Sequence, residues 1–518
     1  MNIHIDKSKK IPLYRQIAEQ IQAQIVSGEI PEGFRFPSER QLADALGVNR
    51  TTILNAYKEL KADGLMDSHV GRGTTAVRPG SSRPDSGRPG SSKPDSGRPD
   101  RRPYPKEPMW EYLFSDYLKH HDNFDVNKYL EIANQKDVIS FAAGIASVDT
   151  IPAQAFEGIE DQLITGRERL LVSPVTGFYS LRKVICSYMQ KRTCFCQPSE
   201  IMVLSGSQQG IDLITRAFIN PGDVVIIEEP SFFPAIQAFR LAGAKIMAVP
   251  MDGDGMNVEI LEQLLARYQP KLIYTMPVFH NPCGVSMSMD RRIRLLELAG
   301  RYGIPILEDD PYSELYYEAQ PMSPLKSMDQ DGHVIYLSTC SKTISPGLRL
   351  GWMCASRKLI SRLSGIRQLT DLHSSCISQQ IVERFMGSRE MEHHLAFIRR
   401  EYRERRDIMI EALNRYAPPG LSWNRPEGGY YLWCRLPEGV PASELTAKAA
   451  AEGVAVLPGV PTYLSPQKGD GHIRLNYTYP PKDRIAGGIE ILCSAIRPLI
   501  AAQKEEEAVT AGEINPIL

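Results

Sequence analysis

The sequence holds no uninterrupted run of about 18 apolar residues, so no membrane-spanning helix is expected. Its first stretch, MNIHIDKSKKIPLYRQIAEQ, has neither an apolar core segment nor a small-residue cleavage site, so no secretory signal is expected either. The nine cysteines are odd in number and follow no regular spacing, which fits reduced thiols in a cytoplasmic protein rather than a disulfide framework. Cys194 and Cys196 lie two apart, but no second cysteine pair or paired histidine stands near them at zinc-like spacing, so no metal site is expected. His120–His121 and His393–His394 read as surface residues. Net charge is only −1, which excludes a uniformly basic or acidic chain.

What is present suits several domains. At 518 residues, 42% of them apolar, the chain exceeds one ordinary domain and can bury a large core. The charge is unevenly spread: residues 1–108 carry 18 Lys+Arg against 13 Asp+Glu, and the remainder 42 against 48. A basic front on an acidic body is compatible with nucleic-acid binding at one end.

The sharpest boundary is residues 78–108, RPGSSRPDSGRPGSSKPDSGRPDRRPYPKEP. A ten-residue unit occurs twice there, as SSRPDSGRPG and SSKPDSGRPD. This composition cannot bury apolar area, so a solvated linker is expected, spanning roughly 30 Å as a coil and about 90 Å if extended. It separates an expected DNA-binding head at 1–77 from a body at 109–502, and a loose tail is expected at 503–518.

In the head, Leu13, Ile17, Ile21 and Ile25 recur at spacing four, one face of an amphipathic helix. Ser38 and Gln41 form an S-x-x-Q capping box opening a second helix, which Gly47 ends. Asn49 is placed to cap a third helix running to about Asp63. The turn LGVNR between them is tight, as a helix-turn-helix requires, and Gly71 and Gly73 mark a strand pair that would form a wing. The second helix of such a motif enters the major groove. Its leading side chains here are Arg50, Thr51, Thr52 and Asn55, types that read guanine, the thymine methyl and adenine. Arg35, Ser38 and Arg40 are placed for phosphates, and Arg72 for the minor groove or backbone. The plain alternative is a small helical domain with solvated basic residues. The residues 12–74, with G-x-x-x-P-S-E-R-x-L-A, L-G-V-x-R-x-T, A-Y-x-x-L-x-x-x-G-L and G-x-G-T, resemble the winged helix of the GntR family along its length.

In the body, apolar runs at 201–204, 224–228, 272–276, 304–307, 334–337 and 351–355 alternate with helical stretches. An α/β layered fold with a largely parallel sheet is expected, followed from about residue 400 by a long helix and a smaller α+β unit. Ser205-Gly-Ser-Gln-Gln-Gly210, between a strand and a helix, offers backbone N–H groups and a helix N-terminus to an anion, with Ser207 and Gln208 as its side chains. It is neither a P-loop nor a dinucleotide fingerprint.

The segment Ser338-Thr-Cys-Ser-Lys-Thr-Ile-Ser-Pro-Gly-Leu-Arg-Leu-Gly351 closely resembles the type I aminotransferase signature S-x-S-K-x-x-x-P-G-L-R-x-G. The resemblance implies that Lys342 carries pyridoxal 5′-phosphate as a Schiff base, with Arg349, Thr339 and Ser341 on the phosphate. It implies Asp309 at the pyridinium nitrogen, Tyr312 and Asn281 at the phenolic oxygen, and Phe232 stacked on the ring. Asp310 is the rival carboxylate; the D-x-x-Y spacing favours Asp309. Arg474, in G-H-I-R-L-N-Y, resembles the arginine that clamps a substrate or effector carboxylate. One departure stands out. Where the family commonly has a tyrosine reaching a neighbouring subunit's phosphate, this chain has Leu171.

From end to end the chain resembles the MocR regulators, a winged helix-turn-helix followed by an aminotransferase-like domain. That implies a homodimer that binds a double-stranded DNA operator, and an amino acid, amine or vitamer as effector. The rival is a true aminotransferase with an auxiliary head, because everything the first half-reaction needs is retained.

Overall fold

A computed structural model describes residues 3–5, 12–69, 73–77, 110–119, 137–158 and 170–513. Gly71, Arg72, the 78–108 segment, His120–His121 and residues 514–518 lie outside them. The chain divides into two compact units, Met1–Ser115 and Asp116–Leu518.

In the first unit, α1 (Leu13–Ser27), α2 (Glu39–Leu46) and α3 (Arg50–Ala62) precede an antiparallel hairpin of β1 (Met66–His69) and β2 (Gly73–Ala76). Helix α1 buries Ile17, Ile21 and Ile25, and α3 buries Ile53, Ala56, Tyr57 and Leu60 at the i, i+3, i+4, i+7 spacing of one helix face. These side chains meet Ile30, Phe36, Leu42, Leu65 and Met66 in one core. Both expected caps form. The Ser38 N–H donates to Gln41 Oε1 at 3.0 Å while Ser38 Oγ accepts from the Gln41 N–H, and Asn49 Oδ1 accepts from the Thr51 N–H at 3.2 Å. Gly47 closes α2 at φ 59°, a left-handed conformation that glycine adopts without cost. The turn between α2 and α3 is therefore set at both ends. Ser38→Ala removes one half of the box, and the urea midpoint of the head's unfolding transition should fall by the equivalent of about 1 kcal/mol.

The second unit is built on an eight-stranded sheet. After the short β3 (Ile139–Ser140), its strands are β4 (Ile201–Leu204), β5 (Val224–Glu229), β6 (Lys245–Asp252), β7 (Gly255–Met256), β8 (Leu272–Thr275), β9 (Ile306–Asp309), β10 (Val334–Thr339) and β11 (Gly351–Cys354), in the order β4-β11-β10-β9-β8-β5-β6-β7. Neighbours from β10 through β9, β8 and β5 to β6 pair in parallel, while β11 runs antiparallel to both β10 and β4. Strands β4, β8, β9, β10 and β11 are buried at every residue, as a sheet covered by helices on both faces requires. The helix Ser207–Phe218 lies close on the sheet. A Cβ on Gly210 would come within 2.5 Å of Leu337 Cδ2.

A four-stranded antiparallel sheet follows the helix Glu390–Tyr416, with β12 (Ser422–Trp423), β13 (Tyr431–Arg435), β15 (Leu457–Pro458) and β16 (His472–Asn476) ordered β12-β13-β16-β15. The intervening β14 (Val454–Ala455) pairs in parallel with β3.

Three expectations need correction. Strand β6 was not expected: Pro250 interrupts its run, and it lies where burial is incomplete, so neither alternation nor a continuous apolar stretch marks it. His394 is buried, its Nε2 2.8 Å from the Thr343 carbonyl, while His393 is exposed. The expected tail from Gln503 is helical through Glu513, because Ala, Gln, Lys and Glu propagate the last helix, Ile485–Glu513. The segment Lys482–Gln503, which runs into that helix, is apolar and long enough to cross a membrane by length and composition. Its Ile485, Ile489, Leu492, Cys493, Ala495 and Ile496 are fully buried in the body's main core, so here it serves as a core helix.

Candidate functional site

In the head, Arg35, Ser38, Arg40 and Arg50 line one groove of about 530 Å³ together with Tyr57 and Thr74. Arg50, Thr51 and Asn55 are exposed on α3, and Thr52 is half-buried. Arg50 is paired with Glu39 at 3.1 Å across the turn, an exposed contact worth under about 1 kcal/mol that an incoming phosphate or base edge can displace. Arg72 lies outside the described residues.

In the body, the C-terminal ends of β5, β8, β9 and β10 open on one side, where open α/β sheets place their ligand sites. A cavity of about 470 Å³ there brings together Ser207, Gln208, Phe232, Asn281, Asp309, Tyr312, Thr339, Ser341, Lys342, Arg349 and Arg474. Residues between 142 and 474 thus converge on one space.

Lys342 follows β10 and its Nζ donates to the Gly144 carbonyl at 2.5 Å, with the ring centroids of Tyr430 and Tyr312 at 5.6 and 6.0 Å. Burial lowers its pKa, which raises the fraction of neutral, nucleophilic amine. Asp309 ends β9 and is 1% exposed. Its Oδ2 accepts from the Tyr274 hydroxyl at 3.0 Å, while Oδ1 is buried without a hydrogen-bond partner. Burial raises its pKa to about 7, against the opposing pull of the Tyr274 hydrogen bond. Asp310 faces elsewhere: it takes Arg192 at 2.7 Å, the Tyr336 hydroxyl at 2.9 Å and the Ser313 N–H at 3.2 Å. Geometry therefore separates the two adjacent carboxylates. Asp309 serves the cavity, and Asp310 anchors a buried arginine.

The anion end is formed by the N-terminus of the helix Ser207–Phe218. Gly206 precedes it at φ 96°, and a Cβ there would lie 2.9 Å from Arg349 Nη2, so glycine is what lets the guanidinium close on the helix end. Arg349 itself takes a left-handed φ of 45°. Such strain in a non-glycine residue clusters at ligand sites. Its Nη1 donates to Ser341 Oγ at 3.4 Å, and the Thr339 hydroxyl lies 3.0 Å from that of Ser341. Opposite, Arg474 is 4% exposed, donates to Asn281 Oδ1 at 3.0 Å and the Ala142 carbonyl at 2.9 Å, and leaves Nε without a partner.

The family model for aminotransferases of class I and II matches residues 136–490, and that for bacterial regulatory proteins of the gntR family matches 13–75. The uncharacterized HTH-type transcriptional regulator YisV of Bacillus subtilis is 31% identical, covering 95% of this chain and 98% of that protein. The probable rhizopine catabolism regulatory protein MocR of Rhizobium meliloti is 26% identical over 88% of each. The chain belongs to the MocR subfamily of GntR regulators. The body of this MocR-type chain is also 37% identical to the aromatic-amino-acid aminotransferase 1 of Thermococcus litoralis, over 75% of the chain and 95% of the relative. The crystal structure of Pyrococcus horikoshii kynurenine aminotransferase in complex with PMP superposes with a TM-score of 0.72 at 36% identity, covering 75% of this chain and 98% of that one.

Pyridoxal phosphate suits the MocR-type cavity on its own chemistry. Asp309 Oδ1 and Gln208 Oε1 are buried acceptors without partners, and buried polar groups are seldom left so. A cationic ring nitrogen answers the first, and a phosphate answers the helix N-terminus and Arg349. Two residues of the site, one behind the cavity and one lining it, went unforeseen in the sequence. Tyr274 supports Asp309 from the neighbouring strand. Tyr431 places its hydroxyl 3.2 Å from that of Tyr312 and its ring 4.1 Å from the Arg474 guanidinium. Burial pushes the Tyr431 pKa up, but the charges of Arg474 and Lys342 outweigh it, and the net shift is downward. The doubled tyrosine of G-G-Y-Y-L-W is the only local signal for it. Leu171 is 82% exposed and lines no part of the cavity.

Proposed function

We propose that the chain is a cytoplasmic, DNA-binding transcription regulator that works as a homodimer, holds pyridoxal 5′-phosphate on Lys342 and responds to an amino acid, amine or vitamer. The observation that carries this reading is one cavity holding a buried amine, a buried carboxylate with a free oxygen and a cationic helix end, in a chain that also presents a helix-turn-helix. Residues 1–77 would read the operator, 78–108 tether the head, and 109–502 form the sensing body.

Bound at Lys342, the cofactor would supply an electrophilic carbon for amines and a protonated ring that accepts electron density. Asp309 would hold the ring-nitrogen proton, Tyr312 and Asn281 the phenolic oxygen, and Phe232 one ring face. Ser207, Gln208, Thr339, Ser341 and Arg349 would hold the phosphate, and Arg474 an effector carboxylate. In the head, Arg50, Thr51, Thr52 and Asn55 would face bases, with Arg35, Ser38, Arg40 and Arg72 on the backbone. An effector shifts DNA binding only if it binds one arrangement of the chain more tightly than another.

A second reading, a true aminotransferase with an auxiliary head, is favoured by the intact set from Lys342 to Arg474. A panel of amino acids and amines, followed both by cofactor absorbance and by keto-acid release, separates the two. Spectral change with no sustained keto acid is expected; many turnovers per site would make the enzyme reading the better one. In the same panel Arg474→Met should weaken effectors bearing an α-carboxylate by about 10- to 100-fold and leave simple amines unchanged, because a charge-assisted bidentate contact is lost.

A further inference from the structure

Outside the lining of the cofactor cavity, four of the nine cysteines gather in one place. Cys186 projects from the helix Tyr179–Gln190, Cys194 and Cys196 lie in the loop that follows it, and Cys354 ends β11. The Cys196 and Cys186 sulfurs are 3.5 Å apart, with Met189 Sδ 4.0 Å from Cys196, and the Cys354 thiol contacts both Cys194 and Cys196. Exposure divides the group. Cys186 and Cys196 are half-buried, whereas Cys194 and Cys354 are buried. Phe195, between two of them, is 76% exposed, so the loop itself is at the surface.

We propose that Cys186 and Cys196 form a peroxide-oxidisable dithiol, a modification site separate from the cofactor cavity. Within this 3.5 Å pair the Cys196 pKa is drawn down and the Cys186 pKa pushed up, so Cys196 takes the nucleophile's part and Cys186 that of the protonated partner. The Cys196 thiolate attacks one oxygen of hydrogen peroxide, breaking the O–O bond; the sulfur becomes a sulfenic acid, and the departing hydroxide takes a proton from solvent to leave as water. Cys186 then attacks that sulfur, an S–S bond replaces the S–OH bond, and the expelled hydroxide takes the Cys186 proton. Two thiols and one peroxide give one disulfide and two waters.

The bond requires the sulfurs to close to about 2.05 Å, so the loop must move toward the helix. Arg192 lies in that loop. Its guanidinium pairs with Asp310 at 2.7 Å and bonds Ser313 Oγ, and Asp310 is the residue next to Asp309. Oxidation therefore pulls on the strand end that carries the cavity's buried carboxylate.

The test uses the full chain, treated with a small excess of hydrogen peroxide and then blocked by alkylation before trypsin digestion. The expected product is a peptide 184–191 linked to a peptide 193–216, two hydrogens lighter than the sum and separated again by dithiothreitol, with the other seven cysteines still alkylated. The link should persist in Cys194→Ser and be absent in Cys196→Ser. Should a variant fail to fold, fragmentation of the native linked peptide still distinguishes Cys194 from Cys196. A Cys194–Cys354 or Cys196–Cys354 link, or sulfenic and sulfinic acids without any link, would overturn the proposal.

Discussion

Cofactor-free Asp309→Asn protein should be more stable than the native chain at pH 8, with the difference disappearing as pH falls toward 4. Burial holds the Asp309 pKa at about 7 in the folded protein, whereas an unfolded aspartate titrates near about 3.9. Between those values the folded state keeps a proton that the unfolded state has released. Native stability therefore falls as pH rises from about 4 to about 7 and levels off above it, for a total of about 4 kcal/mol. Asparagine fills the same volume, still accepts the Tyr274 hydroxyl and carries no charge to desolvate, so it escapes this loss. Urea midpoints of the body transition at pH 4, 6 and 8 measure the effect. A gap that widened toward acid would reverse the sign and refute the buried-carboxylate assignment. The same substitution should lower pyridoxal phosphate affinity by about 100-fold or more, since a buried cation would lose its counter-charge. Stability and function are thus opposed at this one residue.

Lys342→Ala should abolish the visible absorbance of lysine-bound cofactor while leaving cofactor-free DNA affinity within about two-fold of native. Among the described residues, the substituted amine is the only lysine lining the cavity, so no other described residue there can take over the covalent bond. The head has its own core, built from residues between Ile17 and Ala76 and sharing none with the body's. Loss of Lys342 should thus reach DNA binding only through the cofactor. Reduction with borohydride followed by peptide mapping checks the first half, and titration of operator DNA checks the second. If cofactor-free DNA binding vanished with the substitution, the two units would not be separable in the way proposed.

Much of this was legible in the chain because it is carried by local pattern. Ser38 with Gln41, Gly47 and Asn49 announce the helix-turn-helix within a dozen residues, and each forms the cap its side chain suggests. The cavity's main residues were legible for a related reason: they stand at strand ends, where short motifs around Lys342, Asp309 and Ser207 survive as strings. What was not legible depends on contacts between distant residues. Tyr274 reads as one more apolar position of a buried strand until β8 is set beside β9. What sets Asp309 apart from Asp310 in the structure is Arg192, which pairs with Asp310 from 118 residues away and which no spacing rule connects to it. The cysteine group likewise needs β11 to bring Cys354 to Cys194 and Cys196. Strand β6 and the final helix were missed for the opposite reason, because Pro250 and a run of Glu and Lys resemble loop composition when tertiary packing is ignored.

The coupling of the two units is tested most directly by footprinting the DNA upstream of this gene with the full-length chain, with and without pyridoxal phosphate, beside Lys342→Ala. A protected site whose extent or affinity changes on adding the cofactor, and does so for the native chain alone, is the result expected. Identical protection in all four samples would contradict a cofactor-governed regulator, whatever the body binds.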